Sequence, residues 1–330
     1  MFKQVNTANS MRIGNRKGGQ MHFASDQNLT LPAIAAPMFL ISGPEMVIAA
    51  SRAGIIGAFP TPNARTAEIL DDWMAQITTA LADEPNAAPW AANLVVHRSN
   101  PRLAEDVACV VKYKPPLVIT ALGSPAEIIE QVHSYGGLVY ADVNSVAFAR
   151  KAAAAGVDGL VLVGAGAGGH TGQIAGFAFV EEVRKFWDGA IVLGGAISSG
   201  QAIRAAEVLG ADLAYLGTSL IPCEESLAVQ EYKQMVLDAG AEDIIPSNAI
   251  TGVTANWLKQ SLINAGHDPE NMGGPGKINF ADPQNDRKAW KHVWAAGQGV
   301  GAVTQNVPLA DIIDRMEAEY DDAVKLPAFG

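Results

Sequence analysis

The chain has 330 residues, 49% hydrophobic and 17% charged, so it can bury a large core and is not a disordered segment. Its formal net charge is −11, with no basic cluster interleaved with aromatics, which excludes a nucleic-acid partner. Cys109 and Cys223 have neither disulfide nor zinc spacing and no apolar run reaches membrane-spanning length, so the expectation is a soluble cytoplasmic protein without a metal.

Residues 1–29 carry basic side chains but no apolar signal-peptide core, and are read as an N-terminal leader. From residue 33, apolar runs alternate with amphipathic segments, the order that builds a parallel sheet with helical crossovers. Strands are predicted at 33–38, 55–59, 91–96, 117–122, 138–143, 159–164, 190–195 and 213–218. Helices are predicted at 43–54, 66–84, 101–113, 124–136, 145–156, 179–187, 199–210 and 225–240. Eight β–α units give an α/β fold, a (β/α)8 TIM barrel over 30–240; an open doubly wound sheet is the alternative, because periodicity does not reveal closure. After residue 240 the pattern changes. Helical pieces around 254–265 and 286–297 flank a Gly/Pro-containing stretch, giving a small helical lid domain over 241–300. The segment 301–330 is a C-terminal helix packing on the barrel.

In such barrels chemistry collects at the C-terminal ends of the strands. The first strand ends in Pro37 and Met38, whose fixed backbone suits a flat ligand as well as core packing. The third contains Asn93, an amide that fits the edge of a heteroaromatic ring or a backbone partner. The sixth runs into GAGAGGHTG, residues 164–172, where Gly168, Gly169 and Gly172 flank His170. Those glycines let a ligand ring approach, and an imidazole suits proton abstraction near neutral pH. The other five histidines, His22, His97, His133, His267 and His292, are read as structural. Gly164, Gly166 and Gly169 also fit G-x-G-x-x-G, but no acidic residue ends a following strand as the dinucleotide fold requires. The seventh and eighth strands end in Gly194–Gly195 and Gly217–Thr218, where barrels commonly seat a phosphate.

AAPM with GPEMVIAASRAGIIGAF, GGHTG, GGAISSGQAIRAAEVLGADLAYLGT and WAAGQGVG, in consistent order from about residue 30 to 303, resemble the nitronate monooxygenase family, also called 2-nitropropane dioxygenase. Related to it are FMN-dependent enoyl reductases and NAD(P)H:quinone reductases. The resemblance implies an FMN-dependent oxidoreductase in which Gly194, Gly195, Gly217 and Thr218 hold the phosphate. Pro37 and Met38 would lie against the isoalloxazine, Gly168 and Gly169 would admit it, and Asn93 and Asp142 would face it. His170 would be the base or polar contact beside it. The implied reaction is oxidation of nitronates or nitroalkanes by O2. The alternatives are an NAD(P)H-dependent FMN reductase acting on a quinone or enoyl thioester and, from another class, a cofactor-free isomerase or lyase. Gln298 and the GGPGKINF loop would cover the substrate side, and the assembly is open between monomer and homo-oligomer. Three positions depart from the family pattern: Gly166 stands where a glutamate is common, Val163 where a polar residue often stands, and Asp142 where a lysine or neutral residue is usual.

Overall fold

The computed structural model describes residues 29–275 and 293–326. The expected leader up to residue 28, most of the GGPGKINF loop, residues 286–292, His22 and His292 lie outside the described residues.

Apolar runs buried on both faces form β1 (Ala33–Ala35), β2 (Ile56–Pro60), β3 (Trp90–Val95), β4 (Leu117–Ala121), β5 (Leu138–Val143) and β6 (Gly159–Val163). A two-residue strand β7 (Gly169–His170) then precedes β8 (Ala190–Gly194) and β9 (Leu213–Leu216). All but β7 close a parallel barrel in the order β1-β2-β3-β4-β5-β6-β8-β9. The seam is β9 on β1, with Ala33 opposite Ala214 and Ala35 opposite Leu216, so the open-sheet alternative is excluded. Ile34, Ile56, Ala91, Leu117, Ile119, Tyr140, Val161, Val192 and Leu213 fill the interior.

The crossovers are α1 (Pro44–Arg52), α2 (Ala67–Leu81), α3 (Leu103–Tyr113), α4 (Ala126–His133), α5 (Val146–Ala155), α6 (Gly176–Arg184), α7 (Gly200–Leu209) and α8 (Gln230–Asp238). Local chemistry sets their ends. Thr66, Ser145 and Ser199 accept from the backbone N–H three residues on, opening α2, α5 and α7, while Gly156 and Gly210 close α5 and α7 in the left-handed region. The helix starts that differ most from the sequence expectation are those of α6 and α8. α6 begins three residues before 179, and α8 only at Gln230, because residues 225–229 form a loop in which Glu225 accepts from Leu309 N.

The expected helical character of 241–300 is corrected. Residues Ile244–Ser247 form β10 and Ala255–Leu258 form β11, which with β7 make an antiparallel sheet in the order β10-β11-β7. Among the described residues of this segment the α-helix is Lys259–Asn264, α9, with short 3-10 turns at Ala241–Asp243 and Gln298–Ala302, and Ala295 bridges Trp257. A four-residue buried run such as ANWL is too short to carry a period, so it reads equally as helix or strand. This sheet has its own small core of Ala255, Trp257, Leu262, Val293 and Ala295. Leu309–Val324 forms α10 against α7: Glu319 accepts from Gly200 N at 2.8 Å and the Tyr320 hydroxyl donates to Glu207.

Candidate active site

The strand ends present a shaped mouth. After β1, Met38 N donates to Ser42 Oγ, and Asn63, from the loop after β2, accepts from Leu40 N at 2.8 Å and donates to the Met38 and Ser42 carbonyls. These bonds hold Leu40 at φ 62°, and Leu122 and Ala196, after β4 and β8, are likewise left-handed. Left-handed non-glycine residues are rare and persist only where their surroundings over-determine them. Pro37 and Met38 are therefore fixed at the rim, partly exposed.

Below the rim lies a polar floor. Side chains two apart on a strand share a face, so Asn93 follows Ala91, and Asp142 follows Tyr140, into the barrel interior. Asn93 is buried and donates to the Ile119 carbonyl at 3.1 Å, leaving its amide oxygen as an acceptor. Tyr215 of β9 packs on the same interior cluster and faces Asp142. Burial raises the Asp142 carboxyl to about 7, partly offset by the Tyr215 hydroxyl; burial and then the carboxyl raise the phenol in turn. The two groups feel each other electrostatically without a hydrogen bond of ordinary geometry. Asp142 Oδ1 and the phenol oxygen are both buried and have no hydrogen-bond partner among the described residues.

His170 stands on the opposite kind of support. As part of β7 it pairs with Ala255 of β11, while Gly169 pairs with Asn256. The Asn256 side chain, 1% exposed, donates to the carbonyls of Ala165 and Ala167 at 2.8 and 2.7 Å. Thr171 N donates to Thr254 O, and Thr171 Oγ1 to Gly164 O. A strand and side chain more than eighty residues away thus set the loop that carries the imidazole. Burial lowers His170 to about 4, so the ring is neutral at pH 7.

The loop glycines meet protein backbone. A Cβ on Gly168 would lie 2.7 Å from Gly297 N, and one on Gly172 2.4 Å from Val163 O. Gln298 N donates to Gly166 O, and Gly297 N to Thr218 Oγ1. These glycines are explained by the chain segments crossing them. Gly217 differs: its nearest neighbours beyond an added Cβ are Met38 Sδ at 3.7 Å and Ala36 Cβ at 3.9 Å, ordinary contact distances. Beside it, Ser219 Oγ is buried with no partner among the described residues, and the Thr218 hydroxyl, already accepting, keeps its proton to donate. A buried donor without a partner beside a glycine with room above it fits an anion such as a phosphate. Gly194 and Gly195 close the same corner, with Gly195 at φ 120° and a Cβ on Gly194 meeting Tyr215 Cδ1 at 3.2 Å.

Four contributors escaped the sequence reading. Tyr215 sits inside an apolar-looking run, Ser219 follows the glycine–threonine pair by one residue, and Asn63 and Asn256 act only through tertiary contacts. Among the described residues no His/Cys/Asp/Glu group could hold a metal, and no helix is long and apolar enough to cross a membrane. A surface groove of about 770 Å3, lined by Thr30, Arg52, Gln76 and Asp314 among others, lies on the outer helical layer and contains none of these residues.

The sequence profile of the nitronate monooxygenase family matches residues 23–319. A nitronate monooxygenase from Paraburkholderia phytofirmans is 26% identical over 89% of this chain and 93% of its own length. A Mycobacterium tuberculosis protein named as a monooxygenase is 31% identical over 63% of this chain, the match spanning 60% of that protein. Among solved structures, nitroalkane oxidase from Streptomyces ansochromogenes superposes with a TM-score of 0.77 at 22% identity, over 91% of this chain and 99% of that one, a likeness of fold.

Proposed function

The chain belongs to the nitronate monooxygenase family, and from that premise we propose that it is an FMN-dependent oxidoreductase that oxidises nitronates with O2, its active site being the mouth described above. The observation that carries the reading is the convergence of a neutral, half-buried imidazole, a polar floor and an anion corner at one end of the barrel.

In this reading Gly194, Gly195, Gly217 and Thr218, with Ser219 added, hold the FMN phosphate. Pro37 and Met38 form the wall against the ring, Asn93 and Asp142 face it, and Gly168 and Gly169 border it. FMN held by these residues would supply the redox chemistry between substrate and O2. The protein's part is placement and protonation. His170, neutral at physiological pH, is the base for the C–H proton of a neutral nitroalkane and, beside a nitronate, a polar contact that donates through its ring N–H. An imidazole lowered to about 4 is a weak base, which favours a substrate that arrives already ionised, the nitronate, over the neutral nitroalkane. The small sheet and Gln298 cover the loop that carries His170 and limit water there. The two free cysteines, Cys109 and Cys223, accord with a reducing compartment such as the cytoplasm.

The test is a visible spectrum of the purified protein followed by anaerobic mixing with a nitronate, NADH and NADPH in separate runs. Bleaching of a flavin band by nitronate is the expected result. Bleaching by a nicotinamide alone would transfer the protein to the reductases, and a protein that takes up no FMN would overturn the reading.

A further inference from the structure

The floor of the mouth contains one acidic group that the reaction above leaves without a task. Asp142 lies in register with Val161 of β6, and the Tyr215 hydroxyl faces it from β9. Its Oδ1 has no hydrogen-bond partner among the described residues, and the phenol that faces it from β9 is likewise without one. Tyr215 is the titratable group acting on Asp142; β4 and β6, the strands on either side of β5, carry none. Among the described residues no cation offsets a charge at this position. A carboxyl so placed exchanges its proton according to the charge held above it, because in a poorly solvated site a second negative charge makes the ionised form far costlier than in water.

We propose that Asp142, backed by Tyr215, is a proton-uptake site coupled to the charge of the bound cofactor. This rests on the FMN reading above. When the cofactor is reduced and negative charge accumulates in the mouth, Asp142 forms an O–H bond to a proton taken from solvent. When the cofactor is reoxidised, that proton returns to solvent. The electrons come from the reducing substrate and leave to O2; no other bond in the protein is made or broken. The carboxyl stands near half-protonation at neutral pH, which allows the uptake to occur in the physiological range.

The experiment is a spectroelectrochemical titration of the FMN-loaded protein across the neutral pH range, on wild type, Asp142→Asn and Tyr215→Phe. In wild type the midpoint potential should fall more steeply with pH over a segment near neutrality, bounded by two bends. Asp142→Asn should lack that segment. Tyr215→Phe, which removes a group that holds the carboxyl down, should move it to higher pH. An Asp142→Asn protein that keeps the wild-type bends would overturn the proposal. An independent readout uses the flavin-free protein: an infrared carboxylic C=O band that disappears as pH rises through neutrality and is absent from Asp142→Asn. Its absence from wild type at mildly acidic pH would also overturn the proposal. Because this second readout needs no FMN, failure of the flavin reading and failure of the Asp142 assignment are told apart.

Discussion

The barrel floor and the His170 loop place two titratable groups at one mouth by opposite means. Asp142 is fixed by barrel register, one residue in a closed ladder whose neighbours on both sides are strands. His170 is fixed by a two-residue strand, one side-chain clamp and a sheet outside the barrel. Burial favours the neutral form of each, so the carboxyl is pushed up to about 7 and the imidazole down to about 4. The lesson is that the floor inherits the stability of the fold, whereas the loop depends on a few long-range contacts.

The comparison can be broken first at the imidazole. His170→Ala should lower kcat/KM for a neutral nitroalkane, which must give up a C–H proton, by roughly 10²-fold or more, and for the preformed nitronate by less, while FMN affinity stays near wild type. Steady-state kinetics and flavin titration check it.

Next comes the floor. The folded pKa of Asp142 lies above its ordinary value of 3.8, so the unfolded chain gives up its proton first. The neutral carboxyl therefore costs nothing below pH 4, and stability drains away as pH rises through the folded value. Asp142→Asn removes that drain, so its thermal midpoint should exceed wild type at pH 8 and approach it at pH 5, with an upper bound of about 4 kcal/mol. Thermal melts at the two pH values decide it. Protonation of His170 has the opposite sense: its lowered pKa subtracts stability as pH falls below about 6.5 toward 4.

Asn256→Ala sharpens the contrast. It strips donors from the Ala165 and Ala167 carbonyls and should destabilise by about 2 kcal/mol, a typical cost for buried acceptors left unpaired. It should also reduce kcat more than it raises KM, since the imidazole loses its placement. Asn93→Ala, with one bond to Ile119 O, should cost less in a chemical melt.

The smallest expected effects separate two kinds of glycine. Gly168→Ala drives a methyl into the backbone of Ala296 and Gly297 and should lower stability by about 1–3 kcal/mol. Gly217→Ala meets only ordinary contacts and should leave the melting temperature unchanged while weakening FMN binding. Equal loss of stability in both would erase the distinction.

The eight barrel strands were legible because a strand buried on both faces reads as a continuous apolar run, here from AIA to LAYL. Closure was not, since it lies in the pairing of β9 with β1 and in no local pattern. His170 stood out through its glycines, yet the reason for several of them was misread: Gly168 and Gly172 make room for other chain segments. Asp142 came into view only through the family resemblance, as a departure from its pattern, whereas Tyr215, likewise half-buried, looked like one more strand aromatic. The small sheet was illegible because its strands fall outside the β–α rhythm of the barrel: GH sits within a glycine run, IIPS contains a proline, and ANWL runs directly into a helix.

The crowding around residues 164–172 also has an evolutionary consequence. Backbone atoms under 3 Å away exclude a methyl group at Gly168 and Gly172, so a side chain at either position requires the facing backbone, residues 296–297 or Val163, to shift with it. A change at these two positions is thereby tied to a compensating change in the segments facing them, a coupling that no single substitution at either glycine escapes.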